Sequence, residues 1–210
     1  MTTVRAALTA VAILVLAPFL AAAPPMRVAL IVDTSASTAA AIPQIRAAAS
    51  AFIDALPPDD EVVLVSTGRR VQVRVPPTTD RAKLKASVAA LLTENGPTAL
   101  IDALLETDRR FMAKAADRLG VYVMITGDGS ENSKEADEQT FNRWLQDIVK
   151  RGVSANAVVL KGSSNGLPDA IASTLVRATH GHYTSMGNGA TLPDAMTRLA
   201  GQLADEASHR

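Results

Sequence analysis

The chain contains no cysteine in its 210 residues. Disulfides, zinc–thiolate sites and thiol catalysis are therefore excluded, and stability must come from the core and, at most, a bound ion. A surplus of charge is missing too, since 21 basic residues balance 21 acidic ones. Nothing in that balance favours nucleic acid or an anionic membrane surface. The chain also lacks a Gly-x-x-x-x-Gly-Lys-Ser/Thr phosphate loop and a serine nucleophile elbow. No fixed-period repeat is present, and no low-complexity tract outside the N-terminal segment.

That segment, residues 1–23, reads as a secretory signal peptide. Arg5 supplies the positive start, Ala6 to Leu20 the apolar run, and Ala21-Ala22-Ala23 the small-residue end. Pro24 and Pro25 follow at once and are poor residues after a cleavage site, so an uncleaved N-terminal anchor is the alternative. The run to Ala23, broken by Thr9 and Pro18, is at the short limit for a bilayer core of roughly 30 Å. Export, periplasmic or secreted, is expected. Residues 26–207 then provide one domain with a single good core.

Its centre is Val28-Ala29-Leu30-Ile31-Val32-Asp33-Thr34-Ser35-Ala36-Ser37. Five apolar residues in a row predict a strand covered on both faces, as in parallel sheets flanked by helices. Asp33 marks its C-terminal end, where open α/β sheets bind ligands. Amphipathic helices follow around Ile42–Leu56, Leu84–Leu92, Leu100–Met112, Phe141–Ile148, Ile171–Val176 and Leu192–Leu203. Strands are predicted at Val62–Val65, Val71–Val75, Val121–Ile125, Val153–Leu160 and His182–Met186. The short link at Gly68-Arg69 makes Val71–Val75 an antiparallel edge strand, with Arg70 and Arg74 discouraging unwanted pairing. Gly120 reads as a helix stop. The whole predicts an α/β fold: a doubly wound, mainly parallel central sheet with one antiparallel edge strand and helices on both faces.

Three separated pieces fall at one end of that sheet: Asp33-Thr34-Ser35-Ala36-Ser37, Thr98 in Gly96-Pro97-Thr98-Ala99-Leu100, and Asp128-Gly129. Carboxylate and hydroxyl oxygens are hard ligands, suited to Mg²⁺, Mn²⁺ or Ca²⁺. Two ionised carboxylates about 5 Å apart would repel by roughly 3 kcal/mol at an effective dielectric of about 20, a cost that a divalent ion removes. The simpler reading of the first piece alone is a Ser/Thr/Asp turn that caps the next helix.

Together the pieces resemble the von Willebrand factor type A domain and its metal-ion-dependent adhesion site, Asp-x-Ser-x-Ser, then Thr, then Asp-Gly. The resemblance covers residues 26–207. It implies that Ser35 and Ser37 bind the cation through their hydroxyls, Thr98 directly or through water, and Asp33 and Asp128 largely through waters. The function implied is non-enzymatic: Mg²⁺ (or Mn²⁺, with Ca²⁺ also admissible) bridges to an Asp or Glu of a protein partner. Departures from the pattern are Thr38-Ala39-Ala40-Ala41, which lacks acidic residues for a second metal, Gly127, which interrupts the usual run into Asp-Gly, and His180 and His182 at glycine-like positions. Glu131, Asn132 and Ser133 read as rim or plain loop. Two other readings stand beside this one. One is a type A scaffold without metal. The other is a haloacid dehalogenase-like Mg²⁺-dependent phosphatase, with Asp33 as nucleophile and Lys114 as the phosphate-neutralising lysine.

Overall fold

The computed structural model describes residues 23–134, 137–162 and 166–210. The expected signal segment up to residue 22 lies outside them. The central strand β1 (Met26–Asp33) is buried from Val28 onward and pairs in parallel with β2 (Glu61–Thr67) on one side and β4 (Leu119–Gly127) on the other. β3 (Val71–Thr78) runs antiparallel to β2 at one edge, where Pro76 and Pro77 also limit further pairing. β5 (Ser154–Leu160) and β6 (Tyr183–Met186) extend the other side in parallel, giving the order β3-β2-β1-β4-β5-β6.

Because side chains alternate along a strand, β1 feeds two cores. Val28, Leu30 and Val32 pack under α1 (Ile42–Ala55), α2 (Arg81–Ala89) and α6 (Leu192–Ser208) through Phe52, Leu84 and Met196. Ala29 and Ile31 face α3 (Leu100–Arg110), α4 (Glu138–Lys150) and α5 (Leu167–Thr179) through Leu104, Trp144 and Leu175. Burying each large aliphatic side chain stabilises by about 1.5–3 kcal/mol, so helices on both faces are required by β1 itself.

Two local expectations are corrected, and the two histidines are placed. The second helix ends at Ala89, so Leu91 is buried but Leu92 is 68% exposed; past the helix end, the Leu91 carbonyl accepts the Arg46 Nε–H at 2.8 Å. Gly120 lies inside β4, where an added Cβ would stand 3.0 Å from Val153 Cγ2. Close strand-to-loop approach, not helix termination, accounts for that glycine. His180 ends α5 in the left-handed region, φ 56°, and His182 pairs with Glu206 of α6 at 2.6 Å. Both precede β6 and therefore sit at the N-terminal pole of the parallel strands, away from the predicted site.

The chain passes from β1 to β2 on one side and only later to β4 on the other. The C-terminal ends of β1 and β4 therefore flank a topological switch point, where such sheets leave a crevice.

Candidate metal centre

Asp33 closes β1 with its side chain 1% exposed. One carboxylate oxygen, Oδ1, accepts the Ser35 N–H at 2.8 Å; Oδ2 accepts the Thr126 hydroxyl at 3.0 Å and the Gly127 N–H at 3.1 Å. Burial pushes the carboxyl above its ordinary value, and these hydrogen bonds pull the other way. Among the described residues no cationic side chain pairs with Asp33. The carboxylate is thus fixed by neutral donors that belong to β4 and its own loop.

The loop then brings Ser35 and Ser37 side by side, their hydroxyl oxygens 3.0 Å apart. Thr38, 1% exposed, holds the loop closed with its hydroxyl 3.0 Å from the carbonyls of both Asp33 and Ser35. Gly127 is no mere interruption. A Cβ there would lie 2.6 Å from Ser37 Oγ, and one at Gly129 would lie 2.6 Å from Ser37 Cβ. Both glycines are cut back so that Ser37 can seat against the end of β4. Between them, Asp128 is 6% exposed and accepts the Gly162 N–H at 2.8 Å.

Thr98 joins through backbone and hydroxyl. Its N–H donates to the Ser130 carbonyl at 2.9 Å and its carbonyl accepts the Asn132 N–H at 2.8 Å. Its hydroxyl lies 3.2 Å from that of Thr67, which also accepts the Ala99 N–H at 3.0 Å. Ser35, Ser37, Gly96, Pro97, Gly129 and Ser130 line an open cavity of about 430 Å³ at this pole.

Glu131 and Ser133 have a structural task that sequence reasoning did not find. Glu131 accepts the Leu100 N–H at 2.9 Å, and Ser133 Oγ accepts the Asp102 N–H at 2.9 Å. They cap the first turn of α3 from a distant loop, satisfying donors that a helix start leaves free. Burial raises the Glu131 carboxyl above its ordinary value. Such a cap leaves no local sequence signal, because its partners are 31 residues away.

Among the described residues no three His, Cys, Asp or Glu side chains gather at one point. The donors at this pole are instead two carboxylates and three hydroxyls, all oxygen. That set fits a hard divalent cation and not a soft one.

A sequence profile described as the von Willebrand factor type A domain matches residues 28–132, half of the chain. The chain belongs to that family. No curated protein matches it. The type A fold is seen again in solved structures. A von Willebrand factor type A protein from Catenulispora acidiphila superposes with TM-score 0.71 at 19% identity, over 84% of this chain and 42% of that one. Proximal thread matrix protein 1 from the mussel byssus, whose structure has a zinc-occupied adhesion motif, gives 0.69 at 18%, over 88% and 47%. The vWF domain of the type V pili tip protein Mfa5 from Porphyromonas gingivalis gives 0.68 at 13%, over 89% and 97%. This chain thus spans less than half the length of the first two.

Lys114 lies at the far pole. It ends a short 3-10 turn, Met112–Lys114, after α3 has run the length of the sheet and before β4 begins. No helix of the described residues is long and apolar enough to cross a membrane.

Proposed function

We propose that this type A domain is an exported, metal-dependent protein-binding module. Its family is one of protein-interaction modules. One observation carries the metal part: a buried carboxylate, Asp33, held only by neutral donors, stands beside two hydroxyls 3.0 Å apart that open on a cavity. Ser35 and Ser37 would hold Mg²⁺ or Mn²⁺ through their hydroxyls, with Thr98 beside them and Asp33 and Asp128 acting largely through water. The ion, when bound, supplies an exchangeable position for an Asp or Glu carboxylate of a partner protein.

The remaining work belongs to the chain. Gly127 and Gly129 let Ser37 approach, Thr38 fixes the loop, and Thr67 orients the Thr98 hydroxyl. Specificity for a partner would come from the rim, since one metal–carboxylate contact cannot distinguish acidic proteins. The phosphatase reading is without its lysine, given where Lys114 lies. Export rests on the N-terminal sequence, residues 1–23.

The test is isothermal titration of Mg²⁺ and of Mn²⁺ into chelator-stripped protein and into Ser35→Ala/Ser37→Ala, with phosphate release followed on the same samples. Saturable binding of one ion, lost in the double variant and without turnover, is the expected result. No binding to the folded wild type would leave the scaffold reading.

A further inference from the structure

The hairpin between β2 and β3 stands next to the metal pole. Thr34 N–H donates to the Thr67 carbonyl at 2.7 Å, and Arg69 lies beneath the adjacent loop, where a Cβ on Gly96 would meet Arg69 Cγ at 3.1 Å. Gly96 itself lines the cavity above Ser35 and Ser37. On the other side of this loop, Arg69, Arg70 and Lys134 line a second cleft of about 300 Å³ together with Asp102 and Glu106, with Ala99 and Asn132 as its wall toward Thr98. The two cavities are therefore neighbours across Gly96 to Ala99.

All three cations are exposed, and among the described residues none of their side chains pairs with a carboxylate. Among the described residues the acids nearby each have another partner. Glu94 accepts the Arg69 N–H and the Gln72 amide and faces Arg74 at 3.9 Å. Asp102 accepts the Lys134 N–H at 2.8 Å, and Glu106 pairs with Arg110 at 2.6 Å. In a chain of zero net charge, three cations against two carboxylates in this cleft, one of them already paired with Arg110, leave a net positive local field beside the proposed metal site.

We propose that the partner segment is acidic beyond its metal-binding residue: one carboxylate goes to the ion, and further Asp or Glu side chains two or three residues away go to Arg69, Arg70 and Lys134. The inference rests on the metal-dependent reading above. Two or three exposed charge pairs correspond to about tenfold in affinity, weakening with salt.

The probes are blocked hexapeptides titrated against the full chain in Mg²⁺: Gly-Gly-Glu-Gly-Gly-Gly with a single acid, and the triple-acid Gly-Gly-Glu-Gly-Glu-Glu and Glu-Glu-Gly-Glu-Gly-Gly. One triple-acid peptide should bind about tenfold tighter than the single-acid peptide. Arg69→Ala/Arg70→Ala should erase that gain while leaving Mg²⁺ affinity and single-acid affinity in place. Arg70→Ala/Lys134→Ala, which spares the residue under Gly96, should reduce the gain on its own. Equal affinity for all three peptides, or a gain that survives both double variants, would overturn the proposal while Mg²⁺ binding stood. Failure of Mg²⁺ to bind in the absence of peptide would overturn the metal reading instead. A heparin hexasaccharide that binds as tightly as the triple-acid peptide, and does so in chelator, would assign the cleft to a sulfated glycan and overturn the acidic-peptide partner.

Discussion

Two buried aspartates mark the opposite poles of the sheet. Asp33 ends β1 and is 1% exposed; Asp60 precedes β2 and is 2% exposed. Burial raises the carboxyl of each above its ordinary value. Their surroundings differ in kind. Both oxygens of Asp33 accept hydrogen bonds, but every donor is neutral. At Asp60, Oδ1 accepts the Met26 N–H at 2.7 Å while Oδ2 is buried without a hydrogen-bond partner among the described residues, and Arg81 and Arg118 stand near enough to draw the carboxyl back down. At one pole the chain supplies cations of its own. At the other, among the described residues, it supplies only neutral donors, and the proposed metal would add the cation.

The comparison breaks most visibly at Asp33→Ala. Mg²⁺ at a hundred times its dissociation constant should stabilise the wild type by about 2.7 kcal/mol, because only the folded chain binds it. In Asp33→Ala, Mg²⁺ affinity should fall about 10–100-fold, so the same Mg²⁺ concentration adds far less. Urea unfolding with Mg²⁺ or with chelator measures both. Asp60→Ala should leave the Mg²⁺ increment unchanged while stability drops by about 1–3 kcal/mol with or without the ion, since the buried Met26 N–H loses its acceptor. Asp33→Ala takes the acceptor from three donors and loses stability in chelator as well, so the increment is what separates the two. An Asp60→Ala protein that loses its Mg²⁺ response would show that the poles are coupled and would dissolve the contrast.

Smaller is the effect of Glu131→Ala. It removes a cap from α3 and should cost about 0.5–2 kcal/mol by urea unfolding. Because Thr98 precedes that helix directly, its Mg²⁺ affinity is a measure of whether the α3 start positions Thr98. An unchanged affinity would confine Glu131 to stability.

How much of this was readable beforehand depended on the range of the interaction. The Val28–Asp33 run and the Ser35/Ser37 spacing announce themselves within ten residues, since a strand's burial and its loop are local. Val71, Val73 and Val75 alternate and were readable as the edge strand. Leu92 falls outside the helix although helical spacing continues past Ala89, and the Leu91 carbonyl beside it is taken by the distant Arg46. Gly127 looked like a departure, since its reason is Ser37, which touches it across the fold. Glu131 and Asp60 carry no pattern at all. Asp60 falls in the link before the strand at Val62–Val65, and the Met26 N–H it serves lies 34 residues earlier.

The finest test of the contrast is the pH dependence of stability at the far pole. The Asp60 carboxyl is raised above its ordinary 3.8 in the folded chain, chiefly by burial. The folded state therefore holds this proton more tightly than the unfolded state. Its contribution is fully present below 3.8 and is lost as pH rises through the folded value. Asp60→Asn keeps an acceptor for Met26 and carries no charge to desolvate, so it should lack that falling limb. Unfolding free energies of the two proteins, measured from pH 3 upward in chelator, should differ by an amount that shifts in favour of Asn as pH rises and then levels off. A constant difference across the range would mean that Arg81 and Arg118 already compensate the charge in full, and the orphaned Oδ2 would then need another account.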